Sequence, residues 1–155
     1  MKKLVFLLTV LFAVLLPVTS FAAPDSVDPN DGGNTNGLII IKKPENAEST
    51  TTKQNYTISA LSLEGVEVAL YRYNAASGRF EIMRDASGNP MTSYVGASGI
   101  YFKEINLHEG TNYIMIGAWY GGYYQTVRLD IVLLNQGLLN DIKGFAANFQ
   151  SIFGW

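Results

Sequence analysis

From Leu38 to Leu134 apolar residues recur at every second position, in short runs broken by turn residues, and this period of two constrains the chain more than any other feature. Side chains alternate faces along a strand, so the pattern describes strands with one face against a core. The expected strands are Leu38 to Lys43, Tyr56 to Leu63, Val66 to Asn74, Arg79 to Met83, Gly99 to Leu107, Asn112 to Tyr120 and Tyr124 to Leu134. Between them, "PENAEST", "EG", "NAASG", "DASGNP", "HEG" and "GG" supply the Gly, Pro, Asn and Asp that turns require. With no helical spacing among the runs, the fold class is all-β, an antiparallel sandwich of about seven strands.

Parity then assigns the faces. Ile114, Ile116 and Ala118 point inward and Tyr113, Met115, Gly117 and Trp119 outward. Val66, Val68 and Leu70 are inward, leaving Glu67, Ala69, Tyr71 and Tyr73 outside; Val127, Leu129, Ile131 and Leu133 complete the inner set. The three strands are expected to be neighbours in one sheet, whose outer face is aromatic where a solvated sheet should be polar. Tyr71, Tyr73, Tyr113, Met115 and Trp119 are therefore a candidate docking face. Gly99 to Leu107 breaks alternation if Phe102, Ile105 and Leu107 are all buried, and a β-bulge near Lys103 and Glu104 would reconcile them.

The two ends differ from this middle. Residues 1–22 read as an export signal: Lys2 and Lys3, then an apolar run from Leu4 to Leu16, then Ser20 and Ala22 as the small residues before a cleavage site near Ala22. Pro17 stops the run short of the roughly 20 residues a membrane span needs. Residues 23–37, "APDSVDPNDGGNTNG", hold one aliphatic side chain larger than alanine and read as a disordered linker. Asp25, Asp28 and Asp31 there do not make a calcium loop, since an EF-hand begun at Asp28 would put Gly32 and Ile39 where acidic ligands belong. Residues 135–155 change to helical spacing, with Leu138, Ile142, Phe145, Phe149 and Ile152 on one stripe of an amphipathic helix. That stripe is expected to pack on the aromatic outer face. A partner contact ranks next, and a membrane surface last, because Lys143 stands alone on the polar face against Asp141.

The middle of the chain also carries a resemblance. "KKPENAESTTTKQNYTISALSLEGVEVALY" and "SGIYFKEINLHEGTNYIMIGAW" resemble bacterial immunoglobulin-like domains of secreted glycosidases and surface proteins, including the glucodextranase domain B-like group. The shared elements are a proline after the first strand, Tyr56-x-Ile58, Gly65-Val66-x-Val68 and Leu107-x-x-Gly110-x-Asn112-x-Ile114-x-Ile116-x-Ala118. The antibody cysteine pair and third-strand tryptophan are missing, and Ser59-Ala60 stands where the pattern has glycine. The resemblance implies an Ig-like extracellular module over residues 38–134 and no particular ligand.

Charge and chemistry narrow the function classes. Lys2 and Lys3 are two of 11 basic residues, so the processed chain would carry 9 against 13 acidic ones. A nucleic-acid partner is not expected without a concentrated basic surface. The chain has no cysteine, which excludes disulfides and a lipid-bearing cysteine. Its one histidine, His108, sits in the "HEG" corner, and no nucleophile, base and orienting group converge; no enzyme, metal or cofactor is expected. Carboxylates such as Glu104 with Glu109, or Glu67 with Asp130, read as solvating charges. The sequence thus supports a secreted or cell-surface, non-catalytic module of Gram-positive type that contacts an envelope protein, its oligomeric state open. The alternatives are a carbohydrate-binding module stacking sugars on Tyr120, Tyr123 and Tyr124 beside Trp119, or an envelope protein tethered by its C-terminal helix.

Overall fold

The alternating runs fold into two facing β-sheets, and the computed structural model describes residues 22–135, 137 and 140–146. In chain order the strands are β1 (Ser26–Val27), β2 (Ile39–Lys43), β3 (Glu48–Thr51), β4 (Asn55–Ser62), β5 (Glu67–Asn74), β6 (Arg79–Ile82), β7 (Thr92–Tyr94), β8 (Ile100–Asn106), β9 (Gly110–Tyr120) and β10 (Tyr123–Leu133). A helix follows, described over 140–146 (α1). Every expected run is a strand. The additions are short: β1 in the stretch expected to be a linker, β3 inside "PENAEST", and β7 before the turn to β8.

The large sheet runs β1-β6-β5-β9-β10-β3, with β7 also paired to β5, and the small sheet runs β2-β4-β8. Its pairs are antiparallel except one: β3 lies parallel to β10, with Asp130 opposite Glu48 and Leu133 opposite Thr51. The chain leaves β2 in the small sheet and crosses to the far edge of the large one, which fixes that direction.

Parity holds on the central strands. Val68 opposes Ala118 and Leu70 opposes Ile116, while Ile116 and Ile114 oppose Val127 and Leu129 across the next pair. These side chains meet Ile58, Ala60, Tyr101, Ile105 and Leu107 from the small sheet in one core. On β8 the expectation of a bulge is corrected. Tyr56 faces Ile105 and Ala60 faces Tyr101 in unbroken register, so Tyr101, Ile105 and Leu107 are buried and Phe102 is outward, 71% exposed. The register shift lies instead in β2, between Ile41 and Lys43.

Corners are held locally. Gly121 and Gly122 both have positive φ, 55° and 87°, the pair that a tight hairpin matching strand twist requires between β9 and β10. At the "HEG" corner, buried Asn112 accepts from His108 N (2.9 Å) and donates to the carbonyls of His108 (2.8 Å), Gly110 (3.1 Å) and Ile131 (3.3 Å). Asn112→Ala should therefore cost about 1–3 kcal/mol in chemical denaturation, since it strands buried backbone groups.

Tyr101 gives the opposite expectation. Its buried hydroxyl has no hydrogen-bond partner among the described residues, and burial pushes its pKa upward. The folded chain thus keeps a proton that the unfolded chain releases above about pH 10, so stability is full below that pH and falls as pH rises further. Tyr101→Phe should leave the neutral-pH melting temperature unchanged or higher and flatten the alkaline decline, read from melts across that range.

Candidate functional site

β5 and β9 are buried on both sides: every residue from Glu67 to Tyr71 and from Ile114 to Trp119 is buried. A sheet with one wet face would alternate, so a second layer covers the outer aromatic surface. Tyr71, Met115 and Trp119 lie in a second cluster with Ala69, Phe80 and Val27. Val27 identifies the cover.

The stretch 23–37, expected to be a disordered linker, is a strap across this face. At one sheet edge β1 pairs with β6, Val27 opposite Phe80, and the Ile82 amide donates to Asp25 O at 2.9 Å. In between, the Tyr71 hydroxyl donates to Pro24 O at 2.9 Å. At the other edge the amides of Asn34 and Thr35 donate to Tyr124 O (3.0 and 3.2 Å), and Thr126 bonds to Asp31 O through its hydroxyl. Asn34 Oδ1 accepts from Tyr124 N at 2.8 Å. The strap's single large aliphatic residue fills the cluster, and backbone bonds to two sheet edges hold the rest. Low apolar content argued for disorder because it counts side chains and not these bonds. Gly33, at φ +94°, lies so close to β10 that a Cβ would stand 2.4 Å from Tyr124 O. It admits only glycine.

The candidate docking face therefore divides. Tyr71, Met115 and Trp119 are covered, with Trp119 9% exposed. Tyr73 and Tyr113 form a half-exposed rim, edge to face at 6.1 Å, with the Arg128 guanidinium 5.0 Å from the Tyr113 ring. Of the expected helix stripe, Ile142 and Phe145 of α1 are 56% and 71% exposed and take no part in the cover. Leu138, Phe149 and Ile152 lie outside the described residues, as does the expected export signal up to residue 21. Among the described residues no helix is long and apolar enough to cross a membrane.

At the hairpin tip Tyr120 and Tyr123 are exposed, whereas Tyr124 is tied to the strap. Its hydroxyl donates to Asp31 Oδ1 at 3.0 Å, and this bond, then burial, raises its pKa. Trp119, Tyr123, Tyr124, Asp28, Asp31 and Arg79 border a cleft of about 400 Å³ between strap and hairpin.

The charged residues are dispersed. Asp25 lies 3.9 Å from Arg84, Asp28 4.0 Å from Arg79, and Asp31 holds Tyr124. Arg72 Nη1 is 2.8 Å from His108 Nε2, and burial lowers the Arg72 pKa. Asp130 pairs with Arg128 at 2.8 Å and Glu109 accepts from Asn135 at 3.2 Å. Glu67 lies opposite Trp119 and Asp130 opposite Tyr113, far apart along β9, so those two carboxylates are not brought together.

One residue that parity placed but gave no role is Gly117. The Trp119 indole folds back over it, and a Cβ at 117 would stand 1.9 Å from the ring. Two outward positions two apart on a strand are neighbours, so glycine two before a tryptophan was the available signal. Trp119→Ala should cost about 3 kcal/mol. Gly117→Ala should destabilise by about 1–3 kcal/mol, because the indole must swing out. In the Trp119→Ala background the same change should cost far less, and denaturation of the double-mutant cycle checks that coupling. No protein-family model matches this chain, and no curated protein matches it.

Proposed function

We propose that the chain is an exported, non-catalytic β-sandwich module of the cell envelope that works by protein contact through the outer face of its small sheet. One observation carries this reading. Ile40, Leu61 and Ile100 stand opposite one another across β2, β4 and β8, all exposed, and Phe102 continues the same face. Apolar residues aligned on three strands form a patch, and such patches on soluble domains mark interaction surfaces. The aromatic face has its own cover, so it is not the contact surface. Export rests on the tripartite pattern of the N-terminal residues, and the Ig-like assignment on the motifs of residues 38–134. The exposed Ile142 and Phe145 of α1 add a second apolar contact within the same reading.

A carbohydrate-binding role is the second reading, favoured by Tyr123, 60% exposed beside the strap cleft with Asp28 and Asp31. Sugar stacking would then use Tyr120 and Tyr123, since Trp119 offers almost no free surface.

Ile100→Lys combined with Phe102→Asp should leave stability within about 0.5 kcal/mol, as surface changes usually do, and abolish capture of the envelope partner in a pull-down. Unchanged capture removes this surface from consideration. Loss of glycan-array signal with Tyr123→Ala, alongside unchanged capture, replaces it with the carbohydrate reading.

A further inference from the structure

Among the described residues Glu67 is the one charged residue that is buried, and it lies on the covered face. Its register partners are Tyr94 of β7 and Trp119 of β9, and it is 8% exposed. A buried carboxylate is costly unless a positive charge or several donors meet it. Among the described residues no lysine, arginine or histidine forms an ion pair with it. What reaches it is the backbone nitrogen of Ala23, 3.1 Å from Oε2. A neutral amide is a poor match for a buried charge; an ammonium group is a good one.

The sequence points to the same atom independently. Ser20 and Ala22 are the small residues that a signal peptidase reads before its cut. Ala22 is exposed, whereas Ala23 packs against the aromatic cluster.

We propose that the Ala22–Ala23 bond is the processing site, and that the ammonium group released on Ala23 is a structural part of the mature protein, held by Glu67. Hydrolysis by a signal peptidase consumes one water: its oxygen goes to the Ala22 carbonyl carbon, the C–N bond breaks, and the Ala23 nitrogen takes up protons. Glu67 then meets a full charge with three donors in place of one neutral N–H. The inference rests on the export reading only for the bond that is cut; the contact surface plays no part in it.

The groups around the new terminus are Glu67 and Tyr71 of β5, Tyr94 of β7, Asp25 of the strap, and Arg84 beyond β6, which lies 3.9 Å from Asp25. Two carboxylates against one guanidinium favour the ammonium form and raise its pKa above the ordinary value of about 7.7–8.0. The contribution to stability is thus complete below that range and is lost as pH rises through the higher folded value.

The test uses the full chain, secreted by a bacterial host with its own N-terminal segment. Intact mass should place the mature start at Ala23. Melts from about pH 6 to about pH 10 should show a decline above the ordinary α-amino range, each unit of pKa elevation appearing as about tenfold in the unfolding constant. Inserting Gly-Ser after Ala22 keeps an amide at Ala23 and should remove that step, as should Glu67→Gln; together they should remove no more than either alone. Should Glu67→Gln fail to fold, the insertion decides. An uncleaved chain overturns the export reading, and a start elsewhere overturns the processing site. A start at Ala23 with a step that survives the insertion overturns the ion pair.

Discussion

The large sheet has apolar side chains on both faces, and the small sheet can cover only one of them. Tyr71, Phe80, Met115 and Trp119 would otherwise stand in water, and aromatics of this size bury about 150–250 Å² each. The strap answers that demand with little apolar matter of its own. Ordering a segment costs about 1–2 kcal/mol of backbone entropy per residue, and Val27 alone cannot offset that. The compensation comes from the sheet, whose aromatic surface leaves water only when the strap lies down, and from backbone bonds to β6 and β10. Strap and face are each unstable without the other.

This division of labour also separates the two outer surfaces. One is sealed, and its residues serve stability: Gly117 leaves room for the Trp119 indole, and Gly33 lets the chain lie against β10. The other, on β2, β4 and β8, carries Ile40, Leu61, Ile100 and Phe102 in the open. The proposed contact surface is the second, where exposure has no structural reason behind it.

Much of this is legible in the sequence. Alternation located all the long strands, and parity sorted Ile114, Ile116 and Ala118 from Met115 and Trp119 because the strand period admits no other division. The aromatic face was recognised as needing a cover. The strap is not recognisable as that cover, because it is held by main-chain groups that every sequence has, whereas the apolar stripe at Leu138 to Ile152 advertises itself by side chains. Phe102 is expected inside, wrongly, because adjacent aromatics fit either parity and only the pairing of Tyr101 with Ala60 decides. Nothing local marks the parallel pairing of β3 with β10, which is a property of where the chain crosses.

The strap also sets an order of events. Asp31 bonds to Tyr124, 93 residues further along the chain, so the second half of the strap, Asp31 to Thr35, has no site until the β9–β10 hairpin exists. Contacts of such long sequence separation form late, because loop closure precedes any reward for it. Until then the nascent sheet carries a bare aromatic face. Docking of the strap is, in folding, the closing step, and during the interval before it the protein is most open to association with its own kind.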